Sequence, residues 1–260
     1  MSGSPGILSV AQQQFRRRPD SYAITTSPAQ LKFLAFMVSI SAADQNDRVL
    51  DVACGVGSGT LAFAERCASA VGIDVVAEPL ARARLDAIAR KIENAEFVLG
   101  ELERLPFATG SFTGATCRFS FHHFVRPERI FAEMARVVAP GGWSVIADIA
   151  SSEDPEKAAF HNQLERLCDT THVRTLPISE FERMFAEHGF TTVMTVERDA
   201  RLTMDDWIHF SGTSTENAAK LRELALAAID DDRAGLRFVR EGETIRLTHN
   251  SVSFVIEKKE

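Results

Sequence analysis

In the stretch VLDVACGVGSGT, residues 49–60, an apolar run carries a carboxylate, Asp51, into three alternating glycines, Gly55, Gly57 and Gly59. Glycines without side chains let backbone N–H groups and the N-terminus of a following helix come close to a ligand. A second apolar run ends on Asp74, where a carboxylate can accept the hydroxyls of a ribose. Further along, His122 and His123 stand side by side and His172 lies in the stretch DTTHVR. Imidazole is the side chain best suited to take a proton near neutral pH. Tyr22, the single tyrosine beside eighteen phenylalanines, offers an aromatic face. These groups together suggest nucleoside binding and, where an acceptor must lose a proton, base catalysis.

The glycine spacing reads GxGxG, not the GxGxxG of dinucleotide sites. Charge separates the two ligands better than spacing does. A pyrophosphate needs N–H donors, and Asp51 would be a poor neighbour for it. S-adenosylmethionine (SAM) has no phosphate; its sulfonium and ammonium groups are cationic and favour a nearby carboxylate. Asp74 suits either ligand.

Strands and helices must alternate to position these residues. Apolar runs at 49–53, 71–75, 95–99, 115–121 and 143–149 have the length of buried strands. Helices are expected from near Gly59, after Pro79 with Leu80, Ala83, Ala87 and Ile88 on one stripe, and from Pro127 until PGG at 140–142 stops it. Such alternation implies a doubly wound, mostly parallel α/β sheet covered on both faces. Beyond residue 150 the spacing predicts a helix carrying Phe160, Leu164, Leu167 and Cys168. A second is expected from Ser179, with a capping box to Glu182, ending at Gly189. Strands are expected at 190–197 and 251–257. The expected organisation is a helical N-terminal segment over 1–46, a core over 47–199, a cap or substrate insertion over 200–249 and a final core strand over 250–260.

Composition excludes several classes. The 260 residues, 45% hydrophobic and 25% charged, suit a globular chain. No apolar run reaches the roughly 18–20 residues of a membrane-spanning helix, and the N-terminus does not read as a signal peptide. A net charge of −7 argues against a nucleic-acid backbone as partner. Cys54, Cys67, Cys117 and Cys168 form no CxxC pair and fit reduced thiols in a cytoplasmic protein. No metal ion is expected, because no carboxylate or thiol falls at ligand spacing beside His122, His123 or His172.

The DxACGxGxG run, GELERLPFATGSF (100–112) and CRFSFHHFVRPERIFAEMARVVAPGGWSVIADI (117–149) together resemble the class I SAM-dependent methyltransferases. The likeness is greatest to the ubiquinone/menaquinone C-methyltransferase type, the methyltransferase type 11 family, and its small-molecule relatives. It spans residues 47–150; DTTHVR and the N-terminal QQQFRRRPDSYAITTSP resemble further stretches of relatives. The resemblance implies a Rossmann-like sheet of seven strands, the last antiparallel, with SAM as cofactor and S-adenosylhomocysteine (SAH) as product.

It also implies roles by position. Gly55 and Gly57, with Ala53 beside them, would lie against the methionine part, Asp51 holding the loop and the amino group. Asp74 would take the ribose hydroxyls next to Val75. Glu101 and the Leu102 N–H would meet the adenine; relatives more often have Asp at position 101. Arg118 would line the methionine end, mainly through its carbonyl, and Tyr22 would cover the cofactor or the reacting centre.

Methyl transfer is an in-line displacement, for which alignment alone is worth ~7–11 kcal/mol. A base matters only when the nucleophile carries a proton. His123, His172 and Tyr22 are the candidate catalytic residues, with His123 also near the cofactor. On an extended segment His122 and His123 would point to opposite sides, so at most one would face the cleft. The implied acceptor is a small aromatic or lipid-like metabolite, methylated on carbon or oxygen by a monomer or homodimer. Other readings stay open: a methyltransferase-like enzyme that keeps SAM bound while catalysing a cyclisation or rearrangement, a non-catalytic partner, and, more distantly, a dinucleotide oxidoreductase.

Overall fold

A computed structural model describes residues 27–260. Tyr22 and the rest of the segment expected to cover the cofactor up to residue 26 lie outside the described residues. In chain order the elements are α1 (Pro28–Ile40), β1 (Arg48–Val52), α2 (Ser58–Ala64), β2 (Ser69–Asp74), α3 (Ala77–Ala89), β3 (Ala95–Leu99) and β4 (Phe112–Arg118). A single 3₁₀ turn, Phe121–His123, precedes α4 (Pro127–Val137), β5 (Val138–Ala150), α5 (Pro155–Cys168), α6 (Ile178–Glu187) and β6 (Phe190–Thr203). Then come α7 (Met204–Ser211), α8 (Thr215–Leu226), β7 (Val239–Glu241) and β8 (Thr244–Lys258).

The sheet runs β3-β2-β1-β4-β5-β8-β6, with short β7 paired to β8 as a hairpin. The first five strands are parallel and β8 is antiparallel to both neighbours. The order reverses between β1 and β4, so the loops after these strands diverge and leave a crevice at the C-terminal edge. Both faces are covered, which is why β1 and β2, beyond their first residues Arg48 and Ser69, are buried and apolar apart from Asp51 and Asp74. One face packs Phe131, Met134, Phe181 and Phe185 of α4 and α6 against Leu50, Ile146 and Phe254. The other carries α1 and α2, with Met37 and Phe63 against Trp143, Val145 and Val255.

Several expectations meet a different local solution. α4 ends at Val137, three residues before PGG, and residues 139–142 form an irregularity within β5, between the pairings Phe112–Val138 and Gly114–Trp143. Gly141 has φ +71° there, and a Cβ on Gly142 would lie 2.6 Å from the Thr113 carbonyl oxygen. Ser179 makes no capping box. Pro177 is the cap residue of α6, and the Ser179 hydroxyl donates instead to Glu153 Oε2. Ile88 departs from its stripe and is 73% exposed, while Leu80, Ala83 and Ala87 are buried.

The largest difference is in the C-terminal strands. β6 continues to Thr203 and β8 begins at Thr244, pairing all the way from Phe190–Lys258 to Thr203–Arg246. The two strands project beyond the sheet as a ribbon, and α7 and α8 fold back on it. Met204, Trp207, Leu221 and Leu236 form a second apolar cluster with Leu164 and Cys168 of α5.

Candidate active site

The C-terminal ends of β1 and β2 bring Asp51 and Asp74 to the crevice, 4% and 8% exposed. Asp74 Oδ2 accepts from the Gly55 N–H at 2.8 Å and Oδ1 from the Val76 N–H at 2.9 Å. The carboxylate therefore ties the glycine turn to the loop after β2. Asp51 Oδ2 accepts from the Thr60 hydroxyl at 2.7 Å. Burial pushes the Asp51 carboxyl up to about 6, against the Thr60 hydrogen bond and the attraction of Arg118. Burial likewise raises Asp74, opposed by its backbone donors.

The turn between these acids is shaped by left-handed backbone at Ala53, Gly55 and Gly57. A Cβ on Gly57, at φ +73°, would run into the Phe97 ring and the Ala83 methyl, so close packing needs glycine there. At Gly55, φ +53°, an added Cβ would meet nothing within 4 Å. That open space lies beside the N–H that Asp74 holds. The Gly100 N–H donates to the Asp74 carbonyl at 3.0 Å, which brings exposed Glu101 and buried Leu102 beside the end of β2.

Arg118 ends β4, next to β1 in the sheet. Burial lowers the pKa of its guanidinium while attraction to Asp51 holds the charge. The guanidinium donates to Gln30 Oε1 of α1 at 2.7 Å, and the Arg118 carbonyl accepts from the Ser120 hydroxyl at 3.0 Å. Phe119 follows at φ +49°, a conformation costly for an aromatic residue, and its ring stacks on Phe33 at 5.2 Å. Two carboxylates against one guanidinium leave this edge of the crevice with an excess of negative charge.

The histidines gather on the other side of β4. His122 and His123 share the 3₁₀ turn and do not sit on an extended segment. Their rings lie against each other, 4.1 Å apart between centroids, and the expectation of an extended segment with rings on opposite sides is corrected. The loop of DTTHVR docks onto this turn. Val173 and Arg174 N–H groups both donate to the His122 carbonyl, and the His172 ring stacks on His122 at 5.6 Å.

Each ring has a distinct partner. His122 Nδ1 lies 2.5 Å from Asp148 Oδ1, and because a carboxylate only accepts, Nδ1 carries the proton in the neutral ring and Nε2 the lone pair. Burial opposes charging His122, but Asp148 outweighs it and raises the ring above its ordinary value. His123 Nδ1 approaches the Thr171 carbonyl at 3.2 Å, and burial together with the neighbouring His122 lowers it to about 4. His172 Nε2 donates to Asn162 Oδ1 at 2.9 Å, and burial takes it to about 3.

Thr60 and Asp148 have no place among the residues expected from sequence. Asp148 carries its own signal, a carboxylate in the apolar run WSVIADIA whose side chain is buried on β5. His161 and Glu165 also escape a search beside the other histidines. Their i,i+4 spacing on α5 would have found them.

A parallel sheet in this order, with a reversed strand between β5 and β6 and an acid at the tip of each of the first two strands, defines the class I methyltransferase fold. The crystal structure of the YcgJ protein from Bacillus subtilis superposes with a TM-score of 0.82 at 28% identity, over 87% of this chain and 98% of that one. Residues 50–146 match the family model described as methyltransferase domain. The uncharacterized methyltransferase YcgJ of Bacillus subtilis (strain 168) is 30% identical over 207 residues, 80% of this chain and 82% of that protein. The chain belongs to this methyltransferase family. Demethylmenaquinone methyltransferase of Thermus thermophilus is 35% identical over 134 residues, and the chain spans 59% of its length. Among the described residues no helix is long and apolar enough to cross a membrane.

Proposed function

We propose that this methyltransferase takes its methyl group from SAM and passes it to a small acceptor lying against the His122 turn. The observation that supports this most is the open space at Gly55 between two buried carboxylates. Asp74, a carboxylate with about four lone-pair sites, keeps acceptor capacity beyond its backbone donors and suits a ribose hydroxyl. Asp51 suits the ammonium group and Arg118 the carboxylate of a methionine moiety, so the charges of the site and of SAM match group by group. Glu101 and the Leu102 N–H, beside the end of β2, suit the edge of an adenine. When bound, SAM supplies a carbon already activated by its positive sulfur.

The chain's own residues align the acceptor and handle its proton. His122 is the better base of the three histidines. Each neutral ring keeps one unprotonated nitrogen, but of the three only His122 has a carboxylate, Asp148, that fixes the tautomer and stabilises the imidazolium formed when a proton arrives, the logic of a His-Asp pair. His123 and His172, whose burial disfavours the charged ring, fit the wall of the chamber. Phe119 and Phe33 supply aromatic surface beside Arg118, which supports an aromatic or lipid-like acceptor. Reduced thiols and the lack of a long apolar helix among the described residues are consistent with a cytoplasmic setting.

Calorimetric titration with SAH tests the donor site: saturable 1:1 binding, weakened by Asp74→Asn, is expected, and no binding to the folded chain overturns the proposal. Incubation with labelled SAM and candidate acceptors then tests transfer. Product formed without SAH would favour the cyclisation reading.

A further inference from the structure

Behind the histidine chamber, α5 and β8 bring together three side chains that methyl transfer does not use. His161 and Glu165 are one helical turn apart and face the same way; His249 comes from the part of β8 that pairs with Ala200. His161 Nε2 lies 3.1 Å and His249 Nε2 2.8 Å from the same oxygen, Glu165 Oε1. The three ligand atoms all lie within 4.8 Å of one another, and the residues are 2%, 4% and 5% exposed for His161, His249 and Glu165. Trp207 of α7 closes the cluster edge-on against His249 at 5.3 Å.

We propose that His161, Glu165 and His249 bind one first-row transition-metal dication, with Zn(II) as the reference ion, clamping α5 to β8. Two imidazole nitrogens and a carboxylate oxygen form a donor set that takes Zn(II), Co(II), Ni(II) or Fe(II) ahead of Mg(II) or Ca(II). Ligand atoms side by side around an ion at ~2.1 Å stand about 3.0 Å apart in an octahedron, and slightly more in a tetrahedron. The observed N···O separations of 2.8 and 3.1 Å fit this spacing, and the two imidazole nitrogens lie within 4.8 Å of each other.

Charge points the same way. Both ion-pair contacts of Glu165 among the described residues are to imidazoles, with no Lys or Arg against it. A buried carboxylate without a fixed cation is costly, and a dication supplies the missing charge. With three protein ligands, water completes the coordination. Since β8 and α5 also frame the 204–243 segment, the ion would anchor that segment to the sheet. This holds whether or not SAM is the methyl donor.

The test uses the full chain, stripped with chelator and desalted, then titrated with Zn(II) by calorimetry and with Co(II) by visible absorption. One ion per chain is expected, with d–d bands for Co(II) and a rise in Tm of roughly 5–10 °C when free Zn(II) is 100-fold above Kd. Glu165→Gln and His249→Gln should remove the saturable event, while His209→Gln, at an exposed histidine of α7, leaves it intact. No stoichiometric uptake by the wild-type chain overturns the proposal, and so does uptake unchanged in folded Glu165→Gln and His249→Gln. Should either variant fail to fold, X-ray absorption at the zinc edge of the loaded wild type decides the matter: two imidazole nitrogens and a carboxylate oxygen at about 2.0–2.2 Å are expected, and a shell holding thiolate sulfur or lacking imidazole overturns the assignment.

Discussion

The two sides of the crevice are built differently. On the β1–β2 side, the hydrogen-bond donors to Asp51 and Asp74 are near in sequence: Thr60 is nine residues from Asp51, and Gly55 nineteen from Asp74. On the β4–β5 side, His122 meets Asp148 across 26 residues and His123 meets Thr171 across 48. A strand, a turn, a helix and the next strand read consecutively are enough to make the first. The second exists only when β4, β5 and the DTTHVR loop have been packed together. One side is therefore a local motif with fixed chemistry, and the other is an assembly whose chemistry depends on burial.

The sharpest break between the two sides should come at Asp148. Replacing it with Asn leaves His122 without its carboxylate and is expected to lower kcat by ~10²–10⁴-fold for a proton-bearing acceptor. SAH affinity measured by calorimetry should stay unchanged. A large loss of SAH affinity would mean that the two sides are one unit.

Next in size is the glycine pair. Gly57→Ala places a methyl into Phe97 and Ala83 at a positive φ, and should cost ~2–4 kcal/mol in denaturant unfolding. Gly55→Ala meets only the backbone strain, about 1–2 kcal/mol, because its space is open. SAH affinity should nevertheless fall in the Gly55 variant, since the methyl occupies the ligand's place. Equal unfolding losses for the two would contradict the geometry.

Asp74→Asn retains one acceptor oxygen and removes the charge, so SAH should bind roughly 10–100-fold more weakly, the worth of charge-assisted hydrogen bonds of ~1.5–3 kcal/mol. The smallest effect is that of pH. The Asp51 carboxyl stands at about 6 in the folded chain, and its charged form is the one that attracts an ammonium group. SAH affinity should hold above pH 6 and fall below it, by at most tenfold per unit. Stability of the free protein moves the other way: a carboxyl raised on folding favours the fold below its unfolded value near 4, and that contribution is lost as pH rises through about 6. Opposite pH slopes in calorimetry and in thermal unfolding would separate the binding role of Asp51 from its cost to the fold.

Much of the core was legible because its signals are local. The five parallel strands fall where apolar runs of strand length stand, and α4 shows its periodicity and its Pro127 start directly. The failures share a cause. Ser179 has the right partner at the right spacing for a cap, but Glu153, 26 residues away, takes the hydroxyl. The adjacent histidines read as extended because nothing nearby in sequence announces a 3₁₀ turn. The ribbon beyond the sheet is polar on one face, so the outer half of β6 carries no apolar run. It forms because its partner β8 is there to complete its hydrogen bonds.

By itself the sequence determined the order of strands and helices, the glycine turn and the placing of an acid at the tips of β1 and β2, because each depends on spacing over a few residues. Tertiary structure alone decided that His122 and not His172 is paired with a carboxylate. It also decided that His161, Glu165 and His249 converge. Burial and proximity across dozens of residues set the charge and the tautomer of a buried imidazole, and no local pattern records either.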